Sequence, residues 1–254
     1  MKKITKSAFL FAGALLINLP YAQAEDTHAK NHWGYHGNEG PEHWGDIEKK
    51  YAACAEGTYQ SPIDIKKSIN AELAPLDISY KDTPLEILNN GHTIQVNYKE
   101  GSTLKVDGQT YNLLQFHFHT PSENEINGKR YEMELHFVHK RDDGQLGVLG
   151  VMIEEGQENK TAQLIWDHLP KHKADAETFK NITINGEGLL PDDKEYYRFM
   201  GSLTTPPCSE GVNWHVFAEP IQFSKNQIDA FKAIFPMNAR PVQPQNNRLI
   251  VLDK

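Results

Sequence analysis

Gln115-Phe116-His117-Phe118-His119 is followed, after a turn-rich interval, by Tyr131-Glu132-Met133-Glu134-Leu135-His136-Phe137-Val138. Alternate side chains of a β-strand share a face, so the first run points two imidazoles one way and packs Phe116 and Phe118 behind them. The same period places Glu134, His136 and Val138 together in the second run. If the two strands are neighbours, His117, His119 and His136 can offer three neutral nitrogens to one metal ion and leave a fourth tetrahedral position for water. That donor set describes a catalytic zinc site and predicts Zn2+ as the cofactor.

The residues around the histidines strengthen this reading. A metal-bound imidazole usually donates its second ring N–H to an acceptor that fixes tautomer and orientation. Gln115 stands two residues before His117, and Glu134 stands in the same relation to His136. The remaining histidines read differently. His139 falls on the opposite face from His136 and is expected to be packed or at the surface. His28, His32, His36 and His43 belong to a polar N-terminal loop, His168 and His172 to a charged stretch, and His215 reads as a satisfied structural residue.

Outward from this centre, short alternating runs dominate. Strands are expected at Leu85–Leu88, Thr93–Tyr98, Thr103–Val106, Tyr111–His119, Tyr131–His139, Leu146–Ile153 and Asn213–Phe217. Asn90-Gly91, Asp107-Gly108, Asn127-Gly128 and Asp143-Gly144 supply turns between them. Leu146–Ile153 is almost wholly apolar and reads as a strand buried on both faces. Helices are few: one short helix within Asp46–Ala55, another over Asn159–Leu169, and Lys225–Phe235 with Ser224 as N-cap. The segment from His28 to Trp44 reads as an ordered loop held by Trp33, Tyr35 and Trp44. The fold class is mainly β (α+β): a single domain with a large twisted, mostly antiparallel central β-sheet and short peripheral helices.

The first residues read as separate from that fold. Lys2, Lys3 and Lys6 precede an apolar stretch, Ala8 to Leu19, and Ala22-Gln23-Ala24 offers small residues for cleavage. Residues 1–24 are therefore expected to be a signal peptide, and 25–254 one catalytic domain exported to the periplasm or secreted. The apolar stretch is short of the roughly 20 residues that span a bilayer, so no membrane span is expected in the mature chain. The formal charge of −8 becomes more negative once the leader lysines are gone. That argues against nucleic acid or an anionic membrane as partner and suits a dissolved small molecule. The chain has two cysteines, Cys54 and Cys208. In an exported protein they read as one disulfide, with two buried thiols as the alternative.

Beyond these derivations the chain resembles the bacterial exported type of α-class carbonic anhydrase. The resemblance rests on Trp33-Gly34-Tyr35 with Gly40-Pro41-Glu42-His43-Trp44, Gln60-Ser61-Pro62-Ile63-Asp64-Ile65, Asn90-Gly91-His92, and both histidine runs. Pro121-Ser122-Glu123, the stretch Gly201 to Trp214, Asn238-Ala239-Arg240-Pro241 and Gln243-Pro244 extend it through nearly all of the mature sequence. It implies reversible hydration of carbon dioxide to bicarbonate and a proton. It also implies roles: His117, His119 and His136 as zinc ligands, Thr204 and Glu123 as the pair orienting the attacking oxygen, and His92 as proton shuttle. Val138, Val148, Leu203, Val212 and Trp214 would form the apolar wall beside the metal, and Thr205 would help position bicarbonate. Asn90, Gln95 and Tyr35 would line a water-filled cavity, and Cys54–Cys208 would pin the loop carrying Thr204. Bacterial relatives of this type are often dimers, which leaves a homodimer open.

Two other functions fit parts of the pattern. A zinc hydrolase of esters or phosphoesters would use the same activated water, but phosphoester chemistry usually wants a second metal about 4 Å away, and no second cluster of His, Asp and Glu stands out. A binding module that has lost its metal would lack one of the histidines, and all three are present.

Overall fold

The strands Gln109–His119 and Met133–Lys140 lie side by side and antiparallel in a 13-stranded sheet. The computed structural model describes residues 32–254, so the expected leader, residues 1–24, lies outside the described residues. Across the sheet the spatial order is Ala174–Ile184, Thr83–Asn89, Ile94–Asn97, Gln109–His119, Met133–Lys140, Leu146–Glu155, Glu210–Phe217, Tyr196–Ser202, Val251–Asp253 and Ile69–Ala71. Most neighbours are antiparallel. Leu146–Glu155 runs parallel to Glu210–Phe217 and to Ile221–Phe223, and Val251–Asp253 runs parallel to Ile69–Ala71. The expected mostly antiparallel sheet with short helices around it is the fold.

Local chemistry explains several elements. Asp107 and Gly108 both have positive φ, at 51° and 70°, and join Thr103–Val106 to Gln109–His119 as a tight antiparallel hairpin; a two-residue turn of this hand favours Asp-Gly. Leu146–Glu155 is buried along almost its whole length, as its apolar composition requires. The helix Lys225–Lys232 begins at Ser224, whose hydroxyl accepts from Gln227 N–H while the Gln227 side chain answers the Ser224 backbone.

Some expectations need correction. Asp46–Ala55 is not one helix: it breaks into Trp44–Ile47, a 3-10 turn at Lys49–Tyr51, and Ala53–Glu56. The strands Ala174–Ile184 and Tyr196–Ser202 were not foreseen. The first is an edge strand exposed along nearly all its length, so it carries no in–out alternation to read.

The sheet separates two apolar layers. One face packs Phe116, Phe118, Leu135, Phe137, Leu149 and Val151 into the larger core. The other carries Val148, Val212, Trp214 and Val216 against Ile63 and Ile65. A third cluster joins Trp33, Tyr35, Trp44 and Tyr51 around Cys54 and Cys208, which are disulfide-bonded.

Candidate metal centre

A bulge decides which side chains reach the site. Leu113 pairs with His139 but Gln115 pairs with Val138, so Leu114 is an extra residue on its strand. Before the bulge Tyr111 and Leu113 point into the large core; after it Phe116 and Phe118 do. The shift of phase turns Gln115, His117 and His119 to the opposite face, where His117 lies directly across from His136 and His119 across from Glu134.

The three imidazoles converge. One nitrogen from each of His117, His119 and His136 lies within 4.8 Å of the others. The second nitrogens of His117 and His119 are hydrogen-bonded elsewhere, and that of His136 lies close to a carboxylate without an aligned bond. His117 Nδ1 donates to Gln115 Oε1 at 2.9 Å, and His119 Nδ1 donates to the Asn238 carbonyl at 2.8 Å. His136 Nε2 stands 2.9 Å from Glu134 Oε1. This leaves Nε2 of His117 and His119 and Nδ1 of His136 facing one another. His119 Nε2 is buried without a hydrogen-bond partner, an arrangement that costs free energy unless something ligates it. Burial first, then in His117 the neighbouring imidazoles, pushes the pKa values of His117 and His119 down, favouring the neutral form that binds metal. The donor set fits a zinc ion.

The carboxylates behind the tripod are held hard. Glu134 accepts from the backbone N–H groups of Glu123 and Asn124 at 2.8 and 2.7 Å, and from Asn124 Nδ2 at 2.8 Å. Burial pushes its pKa up, but His136 and the Asn124 bonds outweigh that and leave it below the ordinary range. Gly150, across from His136, leaves room for it: a Cβ there would lie 3.1 Å from Glu134 Oε1. Glu123 is fully buried, and its Oε1 accepts from the Arg240 backbone N–H at 2.8 Å. Its Oε2 lies 3.5 Å from His119 Nε2 and 3.8 Å from His136 Nδ1. Burial raises its pKa to about 7, against the lowering effects of His136, the Thr204 hydroxyl and the Arg240 N–H.

A cavity of about 130 Å³ opens above the tripod, lined by His117, His119, Gln115, Gln95, Asn90, Tyr35, His92 and Thr205. Val138, Val148, Leu203, Val212 and Trp214 gather in one apolar cluster. Val148 pairs with both Val138 and Trp214 across adjacent strands, and the Trp214 ring meets His136 edge-on at 4.9 Å. His92 sits half-buried and stacks on Trp33 with ring centroids 3.7 Å apart.

The structure brings His117, His119 and His136 together with Gln115, Glu134 and Glu123 against them, and it places His92 and Thr205 in the cavity lining. Asn238 was missed as a contributor: besides accepting the hydrogen bond from His119 Nδ1, it donates to the His92 and Phe118 carbonyls and accepts from Thr120 N–H. Asn124 and Arg240 were missed too. Each acts on a partner distant in sequence or through its backbone, so no local spacing signals it. His139 is packed, with Nδ1 donating to Phe137 O and Nε2 2.8 Å from the Tyr80 hydroxyl. His215 is buried, but it is not satisfied: neither ring nitrogen has an aligned partner, and the Val148 backbone offers only a weak polar contact.

A twisted, mostly antiparallel sheet with a histidine tripod between a polar-lined cavity and an apolar cluster is the architecture of a metal-dependent enzyme. A family profile for eukaryotic-type carbonic anhydrase matches residues 39–254. The carbonic anhydrase of Pectobacterium atrosepticum is 43% identical over 243 residues, covering 95% of this chain and 98% of that one. The α-carbonic anhydrase of Thermovibrio ammonificans, solved with the inhibitor sulfanilamide, superposes with a TM-score of 0.84 at 45% identity, covering 87% of this chain and 98% of that chain. The α-carbonic anhydrase of Photobacterium profundum gives 0.81 at 50% identity over 86% and 99%. The chain belongs to the α-carbonic anhydrase family and is an enzyme.

Proposed function

We propose that the chain catalyses zinc-dependent, reversible hydration of carbon dioxide to bicarbonate and a proton, with histidine-mediated proton export. The observation that carries this reading is the convergence of three imidazole nitrogens within 4.8 Å beside the buried Glu123. His117, His119 and His136 would hold zinc, which would supply Lewis acidity to a water and a positive charge that favours an ionised Glu123.

The chain's own residues do the rest. Gln115, the Asn238 carbonyl and Glu134 fix the three ring orientations. An ionised carboxylate only accepts hydrogen bonds, so Glu123 makes the Thr204 hydroxyl donate to it and turns the threonine lone pairs toward the attacking oxygen. Val138, Val148, Leu203, Val212 and Trp214 offer carbon dioxide a wall without competing polar groups and exclude water there. Thr205, at the cavity lining, supports the bicarbonate product. His92 carries the proton outward along the polar lining of Asn90, Gln95 and Tyr35. The disulfide suits an oxidising compartment, and no helix among the described residues is long and apolar enough to cross a membrane. The disulfide supports export by a leader at residues 1–24, with the catalytic domain at 25–254 and final placement in the periplasm or medium.

Stopped-flow carbon dioxide hydration with parallel zinc analysis tests the reading. His119→Ala should lose nearly all activity and most bound zinc. His92→Ala should keep its zinc and slow only the proton-limited rate, with small imidazole buffers restoring it. Full hydration activity in zinc-free His119→Ala would end the proposal.

A further inference from the structure

Arg240 is 1% exposed, deeper than a cation is normally carried without a partner charge. Its guanidinium partners are neutral: Nη1 donates to Gln60 Oε1 at 2.9 Å and to the Ser61 carbonyl at 2.8 Å, and Nη2 donates to the Cys54 carbonyl at 2.9 Å. The Trp44 ring lies 5.6 Å from Cζ, and Nε has no partner. Burying a cation this way costs desolvation that an apolar side chain of similar volume avoids, so stability is a poor reason for it.

Its connections point to geometry instead. Gln60 Nε2 donates to the Cys208 carbonyl at 3.0 Å. Ser61 N–H donates to Ser202 Oγ at 2.8 Å, and Ser202 N–H donates back to Ser61 Oγ at 3.2 Å. Ser202 and Cys208 bracket the loop that carries Thr204. From one guanidinium, two arms therefore reach both ends of that loop, while the backbone N–H of the same residue holds Glu123 Oε1.

We propose that Arg240 is a positioning residue that sets the spacing between Thr204 and Glu123 and hence the direction in which the attacking oxygen is held. The inference rests on the reading of Thr204 and Glu123 as the orienting pair. It adds a residue that touches neither metal nor substrate.

The test is a double-mutant cycle of Arg240→Met and Glu123→Gln, with Arg240→Lys alongside, on zinc-loaded full-length mature protein. Arg240→Met should lower kcat/KM by about a hundredfold, the scale of a misplaced reacting group. One zinc per chain should remain, buffer should not rescue the loss, and the metal-free protein should unfold at a temperature near that of the parent. Arg240→Lys, which keeps a donor for Gln60 or Ser61, should recover part of the activity. In the Glu123→Gln background, Arg240→Met should cost less than about threefold, because the pair it positions is already broken. A near-normal Arg240→Met beside a crippled Glu123→Gln overturns this proposal alone, and so does a full multiplicative loss in the double variant. Full activity in Glu123→Gln removes the orienting pair and this proposal with it. If Arg240→Met does not fold, Gln60→Leu cuts the arm to Cys208, and additivity with Glu123→Gln overturns the proposal in the same way.

Discussion

His92 shows how far one residue's neighbours decide its chemistry. Burial against Trp33, then the charges of His32 and Lys173, lower its pKa from 6.5 to about 4. In the stacked position it stays neutral through the neutral range and is a poor proton carrier, so shuttling needs the ring to leave Trp33. Removing the stack should therefore raise its pKa. Trp33→Ala is expected to move the His92 titration, followed by NMR, from about 4 back toward 6.5; an unchanged midpoint would refute the role given to Trp33. The shared face of His117 and His119 and the acceptors Gln115 and Glu134 were legible from a two-residue spacing. Asn238 was not: its carbonyl meets His119 across 119 residues of chain, and a backbone acceptor has no residue signature.

At the scale of elements, the bulge at Leu114 carries the main lesson. A strict two-residue period from Tyr111 to His119 puts Leu113 and Gln115 on one face, yet Leu113 lies in the core and Gln115 lines the cavity. The extra residue lets one strand fill the core with its first half and still turn three polar side chains to the face of the histidine cluster with its second. Deleting Leu114 should force the two halves into one phase and rotate one of them to the wrong face. The expected outcome is a variant that no longer binds one zinc per chain, measured by elemental analysis after gel filtration. Stoichiometric zinc with parental activity would show that the bulge is dispensable.

For the whole molecule, two features govern stability. The Cys54–Cys208 bond spans 154 residues, a closure that stabilises by up to about 5 kcal/mol on chain-entropy grounds. Reduction should lower the urea midpoint by a corresponding amount, and kcat/KM should fall with it as the Thr204 loop loosens; parental values of both would contradict the anchoring role. His139 and His215 are buried neutral, with pKa values pushed down to about 3 by burial. Between about 3 and 6.5 the unfolded chain binds protons there that the native chain does not, so stability falls as pH drops through that window. His215→Leu should raise stability at neutral pH by about 1–3 kcal/mol, because two orphaned nitrogens leave the core. It should also flatten part of the acid loss. Urea unfolding at pH 7 and pH 5 checks both signs.

Residue identity and short-range period were enough to put His117 with His119 on one strand face and His136 with Glu134 on another, and to mark the acceptors at Gln115 and Glu134, the apolar strand Leu146–Ile153 and the helix starting after Ser224. Each is a local matter: side-chain direction alternates along a strand, and a cap acts within one turn. The pairing that joins the two histidine runs came from the fold. The phase shift at Leu114, the exposed edge strand Ala174–Ile184, the Asn238 carbonyl on His119 and the Arg240 connections were decided only when distant segments packed together. The cost of leaving a buried polar group unpaired is settled by whatever segment the fold brings to it, and no neighbour in the chain announces that partner.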